Sequence, residues 1–513
     1  MSRHQTTIFI IAAFAVSALW HFLSPNIPDG DSFFYLYLAK HLLSAPADIS
    51  ASWLPFTSIG AYSASLWYGA GFIILPFAKL SDPALAIKLS GIILTALVLI
   101  SIYIISRRHR LSFPYLLPFA YLVIAPNVTF QLLMTRPQTL SLALGALLFS
   151  SLLTGSYLTS FFLSAALAFF HLNYIWLPLG LIIFITLARL VLNRAFFWRP
   201  ALASLVGVVL GALARPEPIK ALRLFYIQII EQSLVKQSNI PLLFGVENFP
   251  LTWGSVLKFF SPFVALWLAA IVVFVWFLFL PSNRDLKRDI FLWSAGILSL
   301  VFGFLSIFVA RRAYELWTLF GLLFIAAVLS KIIPDFPYRF RSALKNFSWF
   351  LAAAIFIFLL IFSSVRTATN LKTIAYSPDH RRAVGLWLAT NAAPGDFVFN
   401  TRWADFSPLV LYNPSGRYVG GLDPIFQYAA DPERYWLYHY LASGLLSDQT
   451  CSLNACHRSD LVDTYGALTE KFNARYIFLE PARLPALASY LASDSRYTSV
   501  LDTNKEILYR IER

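Results

Sequence analysis

The chain has 513 residues, of which 58% are hydrophobic and 13% are charged, and its mean hydropathy is +0.66. Soluble domains carry about 25% charged residues, so this composition excludes a soluble enzyme and indicates an integral membrane protein. We attribute the net charge of +14 to membrane topology and lipid phosphate, and not to nucleic-acid binding.

Hydrophobic runs of the length that crosses a bilayer, roughly 17–25 residues, recur along residues 1–366. The first run follows Arg3 and His4 but lacks a small-residue cleavage site, so it is expected to be a retained span and not a signal peptide. We predict about eleven transmembrane helices, near residues 7–24, 86–106, 113–130, 138–154, 158–174, 175–192, 200–214, 255–280, 290–310, 315–333 and 346–364.

The loops between these spans predict the topology, because cytoplasmic loops are enriched in lysine and arginine. If the basic loops are cytoplasmic, the N-terminus lies inside and the C-terminus outside, which an odd number of spans satisfies. The expected location is the cell membrane, the inner membrane in a Gram-negative bacterium. The basic loops contain Arg107 to Arg110, Arg194 with Arg199, Arg284 with Lys287 and Arg288, and residues 331–345.

Residues 25–85 are predicted to form one long external loop. Its apolar part, Tyr68 to Phe77, contains Gly69, Gly71 and Pro76. This composition favours an interrupted, re-entrant helix over a straight span.

A second external segment, residues 215–254, is predicted to begin with an amphipathic helix on the membrane surface. Apolar residues recur at helical spacing between Ile219 and Gln237, after Pro216 and Pro218.

Residues 367–513 carry most of the acidic residues and predict a soluble α/β domain outside the membrane. Cys451 and Cys456 are expected either to form one short disulfide or to remain free thiols. The predicted elements are helices at Arg381 to Asn391, 408–412 and Leu461 to Phe472, strands at Phe397 to Asn400, Arg417 to Gly420 and Ala474 to Glu480, and an antiparallel pair at Tyr497 to Asp502 and Glu506 to Ile511.

The acidic pair Asp29 and Asp31 directly follows the first span. One interpretation is structural, because acidic residues suit the N-terminus of a helix that begins near Ser32. The other is functional: two carboxylates can hold a divalent cation such as Mg²⁺ or Mn²⁺, or supply one general base. The position at the mouth of a span favours a function, since unpaired carboxylates beside hydrocarbon are destabilising.

Basic residues at the outer ends of the spans are the candidate donor-phosphate ligands, because arginine binds phosphate through two parallel hydrogen bonds. Each one alone is also explained as solvated loop charge. Glu217, between two prolines, is expected to pair with Arg215 in preference to joining a metal site. The candidates are Arg136, Arg215, Lys220, Arg311 and Arg312.

Glu217 and further polar residues are candidate contacts for an acceptor or a sugar. His171, Asn173 and Tyr174 lie at the outer end of a span, where a lone histidine is more often a hydrogen-bonded anchor than a catalyst. Asp405 and Asp423 follow predicted strands, where α/β sheets place ligand loops, although the neighbouring Gly420-Gly421 also suits a simple turn.

Several enzyme and pump classes lack their motifs in this chain. The sequence contains no CxxC pair, no HExxH, no GxSxG and no Walker loop. These absences leave a zinc hydrolase, a serine esterase and an ATP-driven pump without support.

The arrangement resembles the GT-C superfamily of membrane glycosyltransferases, which includes protein mannosyltransferases and aminoarabinose transferases of lipid A. The features that match are the acidic motif Asp29-Gly30-Asp31 after the first span, a long first external loop, an odd span count and an external C-terminal domain. Arg136-Pro137 is similar to a basic loop element of bacterial members. The carboxylate that many members carry in the second external loop is missing, as is the Pro-Pro-Leu type signature of the first loop.

The resemblance implies an inverting transfer of a sugar from a polyprenyl-phosphate donor to a lipid, glycan or protein acceptor on the external face. It further implies that Asp29 or Asp31 deprotonates or orients the acceptor hydroxyl.

Two other hypotheses stay open. A transporter or flippase for lipid-linked sugars would be expected to show symmetric halves and charges in the middle of its spans. A membrane scaffold would only display the C-terminal domain.

Overall fold

In a computed structural model the chain is mainly helical, with a small C-terminal sheet. The structure describes residues 3–45, 52–192, 197–238, 240, 242–279, 289–332, 338–444 and 447–513. The predicted loop residues Arg194, Arg284, Lys287 and Arg288 lie outside the described residues, as does part of the basic stretch 331–345.

The chain divides into two compact units, each built from separate stretches of sequence. The first unit comprises Met1–Pro28, Ile87–Ala214 and Gly245–Ala375, and the second comprises Asp29–Ala86, Arg215–Phe244 and Tyr376–Arg513. The domains 1–366 and 367–513 that composition defines remain predictions.

The helices that lie wholly or mostly in the first unit account for the hydrophobic runs. They are α1 (Arg3–His21), α5 (Pro83–Arg108), α6 (Leu117–Val123), α7 (Pro126–Leu132), α8 (Pro137–Thr154), α9 (Tyr157–Phe170), α10 (Trp176–Val191), α11 (Trp198–Leu213), α14 (Trp253–Phe259), α15 (Ser261–Phe279), α16 (Ile290–Phe308), α17 (Tyr314–Ile332) and α18 (Tyr338–Thr373).

Among the described residues, seven helices are long and apolar enough to cross a membrane, or eight if the bent pair Trp198–Leu213 and Pro218–Gln237 is counted as one span. The multi-pass helical fold is therefore confirmed. Each of the seven coincides with one of the eleven predicted spans. The other four predicted spans, near 7–24, 113–130, 158–174 and 200–214, fall on α1, on the pair α6 and α7, on α9, and on α11.

The predicted span near 113–130 is divided into two short helices. Pro126 begins α7, and the residue before it, Ala125, has an extended backbone with φ −153° and ψ 137°. A proline disfavours helical geometry in the preceding residue and lacks the N–H of a continuous helix. Pro126 thus interrupts the hydrophobic run. A hydropathy count does not detect this interruption, because it ignores backbone geometry.

The remaining helices lie in the second unit. They are α2 (Asp31–Ser44), α3 (Ser58–Tyr62), α4 (Tyr68–Ile74), α12 (Pro218–Tyr226), α13 (Gln232–Gln237), α19 (Arg382–Asn391), α20 (Phe406–Tyr412), α21 (Pro424–Ala430), α22 (Pro432–Ser443), α23 (Thr464–Gly466) and α24 (Pro485–Ser493).

The two embedded or surface helices predicted from sequence are present. A 3₁₀ turn, Leu75–Phe77, extends α4 into a short apolar helix over Tyr68–Phe77, which is too short to span. A π-helical turn, Ile227–Glu231, joins α12 to α13 and completes the helix predicted over Ile219 to Gln237. Their depth in a membrane remains a prediction.

The C-terminal sheet has five strands in the order β2-β1-β5-β7-β6. Strand β1 runs parallel to β2 and β5, whereas β7 runs antiparallel to β5 and β6. The strands of this sheet are β1 (Phe397–Asn400), β2 (Arg417–Tyr418), β5 (Ala474–Leu479), β6 (Tyr497–Asp502) and β7 (Ile507–Ile511). The predicted α/β class and the terminal antiparallel pair are confirmed.

One predicted element of this region is wrong. Residues 461–472 do not form one helix, because strand β4 (Leu461–Asp463) pairs antiparallel with strand β3 (Gln449–Cys451). Cys451 forms a disulfide with Cys456 beside this ribbon. The apolar spacing of residues 461–472 is helix-like, but its first three residues form a strand instead because they pair with β3, which lies earlier in the chain.

The segment Asp29–Ala86, which covers most of the predicted first loop, belongs to the same compact unit as this sheet. Helix α2 packs against α20, and the ring of Phe34 lies 5.6 Å from Trp53 and 5.8 Å from Phe406, between ring centres. The carbonyl of Trp53 accepts a hydrogen bond of 2.8 Å from the backbone N–H of Tyr418 in β2. These contacts fix the start of α2, where the acidic pair lies, against the α/β region.

Candidate active site at the start of helix α2

Asp29 and Asp31 bracket the first turn of α2. Asp31 is the first helical residue and is partly exposed, whereas Asp29 is 3% exposed. One oxygen of Asp29 accepts the backbone N–H of Asp31 at 3.2 Å, and the other accepts the Ser32 hydroxyl at 3.3 Å. The helix-start interpretation is therefore confirmed for Asp29, since an acceptor there satisfies a backbone donor of the first turn.

The phenol of Tyr376 lies beside both carboxylates. Its ring packs on Gly30, where an added Cβ would lie 3.3 Å from the ring Cζ and 3.5 Å from the hydroxyl oxygen. Glycine therefore separates the two aspartates because a tyrosine ring fills the space that a side chain would take. Burial raises the pKa of Tyr376, the charges of Asp29 and Asp31 raise it further, and Arg402 opposes them. The phenol is accordingly a neutral hydrogen-bond donor near pH 7.

Arg402 carries the positive charge that lowers the pKa of Tyr376. Its guanidinium lies 3.5 Å from Glu480 and 3.9 Å from Asp405, and its side chain is 33% exposed. The ring of His380 lies 4.8 Å from that of Tyr376, between ring centres. Burial and the charges of Arg381 and Arg402 lower the pKa of His380 to about 3, so this imidazole is neutral at pH 7.

Asp405, a predicted sugar contact, is held by a buried arginine. Arg381 donates through Nε and Nη2 to Asp405 Oδ1 at 3.0 and 2.9 Å, and both side chains are 2% exposed. Arg381 also donates to Glu480 and to Glu506. Asp405 thus supports the structure around the acidic pair, and a direct contact with sugar stays a prediction.

The acidic pair by itself offers few ligands for the predicted Mg²⁺ or Mn²⁺. Among the residues that the structure describes, no group of three or more His, Cys, Asp or Glu side chains is arranged to hold a metal ion. Both cations prefer about six oxygen ligands, and the oxygens of Asp29 already accept two hydrogen bonds. Mg²⁺ can be held by one or two carboxylates together with water and substrate phosphate, so a cation at Asp29 and Asp31 remains a prediction, and we derive no step through one.

Metal removal tests this prediction. Purified protein is treated with EDTA and assayed for sugar transfer, with Mg²⁺ or Mn²⁺ added back to a second portion. If a cation held by Asp29 and Asp31 supplies the main charge stabilisation, transfer should fall by at least about a hundredfold, because such stabilisation is worth several kcal/mol. A change of less than about twofold would contradict a metal-dependent reaction.

In the first unit, Arg136 and Arg312 share a cluster with an acid that the sequence analysis did not single out. Arg312 donates to Glu247 at 2.8 Å. Burial raises the pKa of Glu247, but the charges of Arg312 and Arg136 outweigh it and lower the pKa to about 2. The guanidinium of Arg311 donates to the Pro250 carbonyl at 3.5 Å. Phosphate binding by these arginines remains a prediction, and a phosphate would compete with Glu247 for Arg312.

The expected pairing of Glu217 with Arg215 is wrong. Glu217 pairs with Lys220 at 3.0 Å on the surface, since three residues along a helix bring their side chains together. Arg215 is buried and donates through Nη2 to the carbonyls of Ser65 and Leu66 at 2.8 and 2.7 Å. Two predicted phosphate ligands, Arg215 and Lys220, therefore already have partners within the second unit.

The predicted group at His171 is buried in the first unit. His171 Nδ1 lies 2.8 Å from the Ser141 hydroxyl, and its ring stacks on Tyr174 with ring centres 4.5 Å apart. Asn173 lies in the same short 3₁₀ turn. These contacts correspond to the anchor interpretation, and a role in sugar binding stays untested.

The comparisons with known proteins agree with this architecture. No family model and no curated protein sequence matches the chain. Solved structures of ArnT from Cupriavidus metallidurans do match: the apo state with 14% identity, a TM-score of 0.55 and 98% of each chain covered, and the state bound to undecaprenyl phosphate with 13% identity, a TM-score of 0.53 and 99% of this chain and 98% of that chain covered. At these identities the likeness concerns the fold alone, which this chain shares with ArnT over almost its whole length.

Proposed function

We propose that this multi-pass membrane protein with the GT-C fold is a glycosyltransferase that moves a sugar from a polyprenyl-phosphate donor to an acceptor on the extracytoplasmic face. The observation that carries the proposal is the group at the start of α2, where two carboxylates lie beside a neutral phenol that is also influenced by the charge of Arg402. The ArnT structure bound to undecaprenyl phosphate supports the donor class, because the two folds agree over almost the whole chain.

The proposed reaction uses these residues in the following way. One carboxylate of the pair removes the proton from the acceptor hydroxyl, and the acceptor oxygen then forms a bond to the anomeric carbon of the sugar. The bond from that carbon to the phosphate oxygen breaks, and the electron pair leaves with the polyprenyl phosphate. A general base placed in this way contributes about 10²–10⁴-fold to the rate, and a nearby guanidinium such as Arg402 would stabilise developing negative charge.

The second candidate function is transport of a lipid-linked sugar, and a test in detergent micelles separates the two. Purified protein is mixed with a panel of undecaprenyl-phosphate-linked sugars and an envelope extract that supplies lipid, glycan and protein acceptors. A transferase releases undecaprenyl phosphate and labels an acceptor even in micelles, which have no second compartment. Movement of intact donor across liposomes without any released undecaprenyl phosphate would overturn the proposal in favour of a flippase.

A further inference from the structure

A buried cluster of amide and carboxylate side chains lies in the second unit, where α21 packs against the π-helical turn Ile227–Glu231. Gln228 of that turn donates to Asp423 Oδ2 at 3.5 Å. The other oxygen of Asp423 accepts the backbone N–H of Ile425 and begins α21. The mechanism proposed above uses none of these residues.

Two more glutamines extend this contact along both helices. Gln232 lies four residues after Gln228, and Gln427 lies four residues after Asp423. Gln427 therefore lies about one turn into α21, and Gln232 begins α13 directly after the π-helical turn. Both glutamines thus lie within about one helical turn of the contact between Gln228 and Asp423.

Gln232 and Gln427 are buried without their full set of hydrogen bonds. Gln232 is 6% exposed and Gln427 is 3% exposed, and no partner among the described residues accepts from either side-chain Nε2. Buried amide donors are nearly always satisfied, since an unmade hydrogen bond there is destabilising. Two such donors in one cluster indicate a partner that the described part of the chain does not supply.

The local backbone and the neighbouring aromatic rings also favour a binding site at this cluster. π-Helical turns are frequently found at functional sites. Tyr435 of α22 is buried, and its hydroxyl accepts the backbone N–H of Leu243 at 3.4 Å. Its ring lies 5.6 Å from that of Tyr428 and 5.2 Å from that of Trp436, between ring centres. The charge of Asp423 contributes to raising the pKa of Tyr435, so the two side chains lie near each other.

The geometry points to a binding subsite for a neutral sugar, formed by Gln228, Gln232, Asp423 and Gln427 beside Tyr435. Each sugar hydroxyl both donates and accepts, so it can accept from an amide N–H and donate to a carboxylate oxygen at once. Aromatic rings such as Tyr435 offer an apolar face beside a polar tip. The inference deepens the proposed function, on which it rests, because it identifies the acceptor or the transferred group as an uncharged sugar unit.

The test measures binding separately from transfer. The full-length protein in detergent is heated with and without glucose, galactose or mannose, with glycerol at equal osmolality as the reference. At a sugar concentration about ten times Kd, we expect at least one hexose to raise the apparent Tm by about 2 °C. The variant with Gln232→Leu and Gln427→Leu should lose that rise, whereas Gln237→Leu, an exposed position on the same helix, should keep it.

Each outcome decides the inference. A hexose-dependent rise in Tm that survives the double substitution would overturn it, as would a wild-type protein that responds to no hexose beyond glycerol. In the second case, a double variant with higher Tm than wild type would identify the cluster as a polar defect of the core. A wild-type rise that the double variant loses, together with no transfer from any donor, would leave the subsite standing and overturn the proposed function instead.

Discussion

Replacing both Asp29 and Asp31 by asparagine is expected to lower the rate of sugar transfer by about 10²–10⁴-fold, which is the contribution of a placed general base. Asparagine has nearly the same shape, and its side-chain oxygen still accepts a hydrogen bond, as Asp29 does from Asp31 N and Ser32 Oγ. It cannot take a proton from an acceptor hydroxyl. The loss should therefore appear in kcat, measured as released polyprenyl phosphate, while the protein keeps its Tm.

A matched control is available in the same loop. Asp82 accepts the backbone N–H groups of Ala84 and Leu85 at 2.8 and 3.3 Å and so begins α5 in the way that Asp29 begins α2. Asp82→Asn should leave transfer unchanged. If the Asp29 and Asp31 double variant transfers sugar as fast as the Asp82→Asn variant, the pair serves only to begin the helix.

The single variants then separate the two roles. Asp29 is buried with both oxygens engaged, and Asp31 is the more exposed carboxylate. The residue whose asparagine variant reproduces the full loss in kcat is the base. The residue whose variant loses less is a positioning residue, and its substitution should leave the acidic limb of the pH–rate profile in place.

The sequence predicts the parts of this protein that depend on local pattern. Hydropathy alone finds the seven apolar helices, and the spacing after Pro218 finds the helix over Ile219 to Gln237. Strand β1 is found at its observed residues because an apolar run follows a Pro-Gly turn. Such signals lie within about one helix or strand, so they can be interpreted without knowing the rest of the structure.

Features that depend on partners far along the chain are not predictable in this way. Tyr376 packs on Gly30 although 346 residues separate them in the numbering, and no pattern around either residue marks the contact. Arg402 follows β1 in a polar stretch without a recognisable motif. Strand β4 takes its conformation from β3, which lies across a disulfide-closed turn. In each case tertiary packing decides what local propensity leaves open.

The second large effect is expected at Arg381, which connects the loops at one end of the C-terminal sheet. Asp405 follows β1, Glu480 follows β5, and Glu506 precedes β7. Arg381 donates to all three carboxylates and lies 4.9 Å from the ring centre of Phe478. Hydrogen bonds and charge from Arg381 outweigh burial and lower the pKa of Glu480, so that carboxylate is ionised at neutral pH.

Arg381→Met is therefore expected to reduce the free energy of unfolding by about 3–5 kcal/mol, the range found when one partner of a buried ion pair is removed. Methionine fills a similar volume, but it leaves the 2%-exposed Asp405 side chain without its cation. The full-length protein in detergent is followed by thermal unfolding and by limited proteolysis of the C-terminal region. Arg496→Met, which breaks an ion pair of 2.6 Å whose arginine is 43% exposed, should change stability by only about 0–1 kcal/mol.

A rescue variant tests whether the stranded carboxylate is the cause of the loss. Adding Asp405→Asn to Arg381→Met removes the most buried of the three carboxylate charges that lose their partner, so part of the lost stability should return. If the double variant is no more stable than Arg381→Met, Asp405 is not the cause, and the cost arises from Glu480, Glu506 or lost packing against Phe478. If Arg381→Met is as stable as Arg496→Met, the cluster is not what holds β1, β5 and β7 together. The position of Tyr376 and Arg402 beside the acidic pair would then have to depend on the aromatic contacts of Phe34, Trp53 and Phe406 alone.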